Sequence, residues 1–173
     1  MAITLTWPAP ISAQAAGNEW QCLTQSMAGD ARARSRFIAA ASDAANRFLI
    51  PAAVMVALKQ TESGNSLDPS VLNHNTNGTV DRGYFQINVD TWLPALRELG
   101  APVTEAAMHN VRTNALVAAW VLRKELEGRT LLEGVGRYHK GSGTDARSRR
   151  IRQVYVKRFS QKFASLQRQC RST

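Results

Sequence analysis

Glu62 is the residue whose position best suits chemistry. It falls near the C-terminal end of a stretch that reads as a helix from Pro51 to about Ser63, and Leu58 and Met55, four and seven residues earlier, share its face. A carboxyl placed there is half-buried, and both its apolar surroundings and the negative end of the helix dipole disfavour the ionised form. Its pKa is therefore expected to rise towards the value at which a carboxylic acid keeps its proton near neutrality, as a general acid must. A glutamate at a helix end is ordinarily solvated or capping, so the segments that follow it decide the matter. Other chemistries lack their residues. His74, His109 and His139 have no i, i+4 spacing and no cysteine partner, so no metal is expected. No Gly-rich phosphate loop and no Gly-x-Ser-x-Gly elbow occurs, which removes support for nucleotide chemistry and serine hydrolysis, and no cofactor is expected.

The elements that must position Glu62 are mostly helices. Arg36 to Leu49 carries apolar residues at helical spacing, Pro51 supplies a favourable first-turn residue for the helix that ends in Glu62, and Gly64 stops it. Between Asn73 and Asn88 the pattern changes to Asn, Thr and Gly punctuation with a short extended run, and Asn77-Gly78 is a tight-hairpin signal. Asp90 can then cap a helix through Leu99 that ends at Gly100, and Asn110 to Leu126 reads as a long amphipathic helix. Thr130 and Glu133 form a capping box that opens a short helix through Tyr138. Lys140 to Ser148 is a Gly-rich polar loop before a basic C-terminal helix. The expected fold class is mainly α, an α+β arrangement in which a helical domain carries one small two- or three-stranded β-hairpin inserted after the catalytic helix.

Glu62-Ser63-Gly64 is followed by Asn73-His74-Asn75-Thr76-Asn77-Gly78-Thr79-Val80-Asp81-Arg82-Gly83-Tyr84-Phe85-Gln86-Ile87-Asn88 and later by Tyr138-His139-Lys140-Gly141. This order resembles the lysozyme-like superfamily, and in particular the soluble lytic transglycosylase family. That family's signature runs from Glu-Ser-Gly through Gly-x-x-Gln-Ile-Asn to a later Tyr-Asn-x-Gly. Two departures stand out: His139 replaces the asparagine, and Gly83-Tyr84-Phe85-Gln86 stands for the commoner Gly-Leu-Met-Gln. The resemblance covers roughly residues 47 to 141 and is nearest to the small members that accompany secretion, pilus or conjugation machines.

The resemblance implies that Glu62 protonates a glycosidic oxygen of bacterial peptidoglycan and later acts as base, one carboxyl serving in turn. Ser63, Gln86 and Tyr138 would line its site. The C6 hydroxyl of the muramic sugar would close onto C1, giving a 1,6-anhydro end with neither a second carboxylate nor water, and the N-acetyl group could assist. His139 would touch substrate in place of the asparagine, or lie at the surface as an ordinary imidazole. Asp81 leaves a second route open, because the hairpin segment is also similar to animal c-type lysozymes, in which the matching Asp is the second carboxylate of a hydrolase. The plainer alternative is a hairpin carboxylate that bonds nearby backbone N–H groups or pairs with Arg82. Asn88 has a corresponding reading as a helix N-cap, and Gln86 as a group that satisfies buried backbone beneath the hairpin. Trp92 and Trp120, at helical spacing, read as packing.

The chain has 173 residues, of which 44% are hydrophobic and spread along its length, which suits one catalytic domain over residues 16–173. Met1 to Ile11 is mildly apolar with no basic residue, and Ser12-Ala13-Gln14-Ala15 resembles a signal-peptide cleavage site, so residues 1–15 read as the remnant of an export signal or, alternatively, as a frayed terminus. The expected location is periplasmic or otherwise exported, with no transmembrane segment. In such an oxidising compartment Cys22 and Cys170 could form a disulfide between the first segment and the last helix, or remain as two buried thiols. The net charge of +9 is concentrated late, from Arg147 to Arg171, interleaved with Ile151, Val154, Tyr155, Phe159 and Phe163 as one apolar face and its solvated opposite side. A positive groove around Arg150 and Arg152 would concentrate a wall polymer whose peptide stems carry carboxylates. The expected partners are peptidoglycan glycan strands and components of a secretion, pilus or conjugation apparatus. A non-catalytic wall-binding or nucleic-acid-binding accessory is the alternative class, with nucleic acid disfavoured by the complete catalytic signature.

Overall fold

The computed structural model describes residues 13–171. The stretch Met1 to Ser12, which holds most of the expected export-signal remnant and Trp7, lies outside the described residues. The chain forms α1 (Ala13–Thr24), α2 (Ala31–Phe48), α3 (Ala52–Ser63), β1 (Leu72–His74), β2 (Val80–Arg82), β3 (Ile87–Asn88), α4 (Val89–Glu98), a 3-10 turn (Ala106–His109), α5 (Val111–Leu126), α6 (Leu131–Lys140) and α7 (Ala146–Arg171). It is mainly helical with one small antiparallel sheet in the order β1-β2-β3, so the hairpin expected after the helix of Glu62 carries a third strand. No helix among the described residues is long and apolar enough to cross a membrane.

Helix boundaries follow their caps. α2 begins five residues before the expected Arg36, because Asp30 accepts from the backbone of Ala33 as its N-cap. It ends at Leu49, whose left-handed backbone (φ 53°) returns its N–H to Ala45 and Asn46. Pro51 stands at the N-cap of α3, one position before the first turn. The expected cap of α4 is corrected. Asn88, not Asp90, caps it by accepting from Thr91, while Asp90 turns back to accept from the backbone of Val80. The Thr130–Glu133 capping box of α6 is present in both directions. α1 and the 3-10 turn have no counterpart in the sequence reading.

The core is built where small residues let helices approach. α2 presents Ala40, Ala41, Ala44 and Ala45 and α5 presents Ala115, Ala118 and Ala119, all buried, and these two helices share the most extensive contact in the fold. α3 is buried from Val54 to Thr61, between α1, α2 and α7. α7 lies across α3 and α6 with Tyr155, Phe159 and Leu166 inward. Val154, read as part of that apolar face, instead faces solvent. Cys22 and Cys170 form a disulfide between α1 and α7, and the Gln169 amide donates to the Cys22 carbonyl.

The sheet is anchored from beneath. Asn114 of α5 is fully buried, and its amide accepts from Phe85 N and donates to the Arg82 carbonyl. Gly83, between them, has φ +75°, and a Cβ there would lie 2.6 Å from the Asn114 amide nitrogen and 2.7 Å from the Met108 carbonyl. Only glycine meets both demands. Lys59, also fully buried, donates to the carbonyls of Gly64 and Ser66 and so ties the loop that leaves α3 back onto the helix.

Candidate active site

The end of α3, the sheet, the start of α4, the end of α6 and the start of α7 enclose a cleft of 660 Å³. Glu62, Asp81, Gln86, Asn88, Tyr138 and His139 all line it, so six of the seven residues singled out in the sequence meet in one cavity. Ser63 does not face it. Its hydroxyl donates to the Tyr84 carbonyl at 2.7 Å and to that of Lys59 at 3.3 Å, locking the sheet's last turn to the end of α3.

The Glu62 side chain is 9% exposed, with Met55 and Leu58 fully buried behind it. Burial raises its pKa to about 8. The Tyr155 hydroxyl bond and the Arg158 guanidinium pull the other way, and the Asp81 charge adds to the rise. Tyr155 donates to Glu62 Oε1 at 2.5 Å. Its own phenol is pushed well above the usual value by burial and by the charge of Glu62, so it keeps the proton it donates. His139 stacks flat on Tyr155, with centroids 4.1 Å apart and planes 7° from parallel. Its Nδ1 lies 4.0 Å from Glu62 Oε1, a spacing that would suit an ion pair. The protonation states argue against one: burial lowers the imidazole pKa while that of Glu62 is raised, so near neutrality both partners are uncharged.

Asp81 sits in the middle strand opposite Asn73 on one side and Asn88 on the other, making one row across the sheet. Its carboxylate accepts from the Asn88 amide at 2.8 Å and from that of Asn73 at 3.5 Å. Arg82, the alternative partner, pairs with Glu105 instead. Both bland readings of Gln86 and Asn88 describe what these side chains do. Gln86, at φ 47°, donates to the Gly83 and Val71 carbonyls, and Asn88 caps α4 while holding Asp81. Tyr138 presents its ring to the cleft but commits its hydroxyl to the Phe85 carbonyl at 2.8 Å. On the sheet side the lining adds the neutral amides and hydroxyls of Asn75, Thr76, Asn77 and Thr79 with Ile87 and Trp92, and on the other side Arg137, Lys140 and Arg147 with Asp145, Ser148 and Ile151.

Tyr155 and Arg158 escaped the sequence reading. Tyr155 is 93 residues from Glu62 and belongs to an apolar spacing with Ile151 and Phe159 that announces only a core face. Trp92 packs edge-on to Trp120 (5.6 Å, 87°), as expected of a core pair, and also lines the cleft, where an aromatic ring offers a sugar an apolar face. Among the described residues no group of His, Cys, Asp and Glu could hold a metal. No protein-family model, no curated protein and no solved structure matches the chain.

Proposed function

We propose that this chain is a glycan-cleaving enzyme of the lysozyme-like kind, working by general acid catalysis from Glu62. More particularly, we read it as a peptidoglycan lytic transglycosylase. The observation that carries the proposal is a buried carboxylic acid, protonated near neutrality, at the wall of a cleft whose sheet side is lined with neutral hydrogen-bonding groups. Tyr155 occupies Oε1, which leaves Oε2 to carry the transferable proton. Glu62 gives that proton to the oxygen between muramic acid and glucosamine as the bond to C1 breaks. The resulting carboxylate, stabilised by the Tyr155 hydroxyl and Arg158, then takes the proton of the muramic C6 hydroxyl as its oxygen bonds C1. The ends are a 1,6-anhydro sugar and a free glucosamine 4-hydroxyl, and Glu62 is protonated again. The lysozyme-like frame is supported by the Glu-bearing helix that leads directly into a small sheet, and the exported location by a disulfide that needs an oxidising compartment. Local opening of the wall for an envelope-spanning machine is the role that fits a small enzyme of this kind.

Asp81 favours a second reading, hydrolysis of the same bond, because it shares the cleft and its charge acts on Glu62. Digestion of purified peptidoglycan, followed by mass spectrometry of the released ends, separates the two. Anhydro ends, with Asp81→Asn losing less than about tenfold, are expected of the transglycosylase. Reducing ends together with a collapse of activity in Asp81→Asn would replace it with the hydrolase, and wall binding without cutting would leave only a docking module. The acid role also sets a pH limb. Glu62 is active while protonated, so turnover should hold through neutrality and fall as pH rises through about 8. A limb near pH 5 in the rate at saturating substrate would point to an exposed, ordinary carboxyl.

A further inference from the structure

The positive charge of this chain belongs to one element. Nine of its 22 Lys and Arg, and none of its 13 Asp and Glu, fall in α7, so the other cations balance the acids and the net charge of +9 is that of a single helix. The fold uses several of them: Arg149 donates to the Thr144 carbonyl, Arg152 to that of Gly141 at 2.9 Å and Arg158 to that of Thr61 at 3.2 Å. Arg152, expected to lie in a polymer-binding groove, is thus engaged in holding the loop after α6. Arg147, Arg150 and Lys157 are different. All three are exposed, and their side chains make no hydrogen bond or ion pair with another described residue. With exposed Val154 between them their spacing is three, four and three, which places them on one helical face over about 15 Å. Arg147 itself lines the cleft beside Lys140, so this stripe begins at the cleft's lip and runs away from it.

We propose that the Arg147–Arg150–Lys157 face of α7 binds the carboxylates of the peptide stems on a glycan strand seated in the cleft, making stem-bearing glycan, not the bare polymer, the substrate class. This rests on the glycan reading of the cleft. Continuity is what selects the ligand: the anions that meet the stripe must hang from whatever enters a cleft whose sheet side offers the neutral amides and hydroxyls of Asn75, Thr76, Asn77 and Thr79. A wall strand carries neutral sugar and acidic branches on one molecule. Exposed cations free of internal partners act on such a ligand at low desolvation cost, and their effect is strongly screened by salt.

The test is cosedimentation of the Glu62→Gln protein, which leaves its ligand uncut, with intact sacculi and with glycan strands stripped of stems by an amidase. At low salt we expect intact wall to be bound about tenfold more tightly than stripped strands, a preference that 0.5 M salt removes to within about twofold. Arg150→Gln with Lys157→Gln, both outside the cleft and without internal partners, should narrow the ratio to a similar extent while circular dichroism stays unchanged. Equal binding of the two ligands, or a ratio the double substitution does not move, overturns the proposal and leaves the glycan reading standing. Binding of neither, with no cleavage by the wild type, overturns both. Binding to phosphatidylglycerol vesicles that the double substitution abolishes, with the wall ratio unmoved, would assign the stripe to a membrane surface and likewise overturn the proposal.

Discussion

Glu62→Gln should lower glycan cleavage by about a thousandfold, the contribution expected of a positioned general acid, and at the same time make the protein more stable. The two effects share one cause. The glutamine amide keeps an oxygen for the Tyr155 hydroxyl but has no proton to give. The wild-type carboxyl has a folded-state pKa of about 8 against an ordinary value of 4.5 when unfolded, so its burial costs nothing below pH 4.5. The cost grows as pH rises and levels off above about 8, because the unfolded chain releases a proton there that the folded chain retains. At pH 8 the penalty is about 3 to 5 kcal/mol, and glutamine removes it. Thermal unfolding of both proteins at pH 4 and pH 8 is the check. The melting temperatures should nearly coincide at the lower pH, and the variant should lead at the higher. Retained cleavage would sink the acid role, and equal melting at pH 8 would sink the buried, protonated carboxyl.

Reduction of the Cys22–Cys170 disulfide is expected to have the largest effect on stability itself. The bond closes a loop of sequence separation 148, and the chain-entropy relation gives about 4 to 5 kcal/mol for a loop of that length. Urea unfolding with and without reductant should show that loss as a lower midpoint, with the same result for Cys22→Ser and Cys170→Ser. Activity under mild conditions should fall much less. Phe159 and Leu166 are buried between Tyr155 and the disulfide and hold the middle of α7 on α3 and α6 without it. An unchanged midpoint would mean that α1 and α7 are held as firmly by packing alone.

How far the sequence reached depended on the range of the signal. Caps, turns and periodicity are local, so the helices around Glu62, the Asn77–Gly78 turn and the Thr130–Glu133 box were legible, and the motif order brought six cleft residues together in advance. Distant pairs were not. Asn114 reaches the sheet from α5, Lys59 is a buried cation inside a helix, and Tyr155 comes to Glu62 across 93 residues. Each sits in a local pattern that suggests nothing beyond amphipathic helix. The Asp90 cap went astray for a related reason. Asn88 and Asp90 are both good caps, and the tie was broken by β3, which leaves Asn88 at the strand-to-helix turn and frees Asp90 to meet Val80.

On the proposed acid role, the path of α7 across Glu62 would also build in a delay. Synthesis makes the acid long before it makes the tyrosine that holds it and the aromatic residues that pack α7 against its helix. Until α7 docks, Glu62 lacks both the Tyr155 hydroxyl and the cover of that helix, so its carboxyl is more open to water. On that reading a half-made chain would lack the assembled acid site, and so would one whose last helix has not yet closed over α3. The proposed activity would then appear only when the two distant parts of the chain have met.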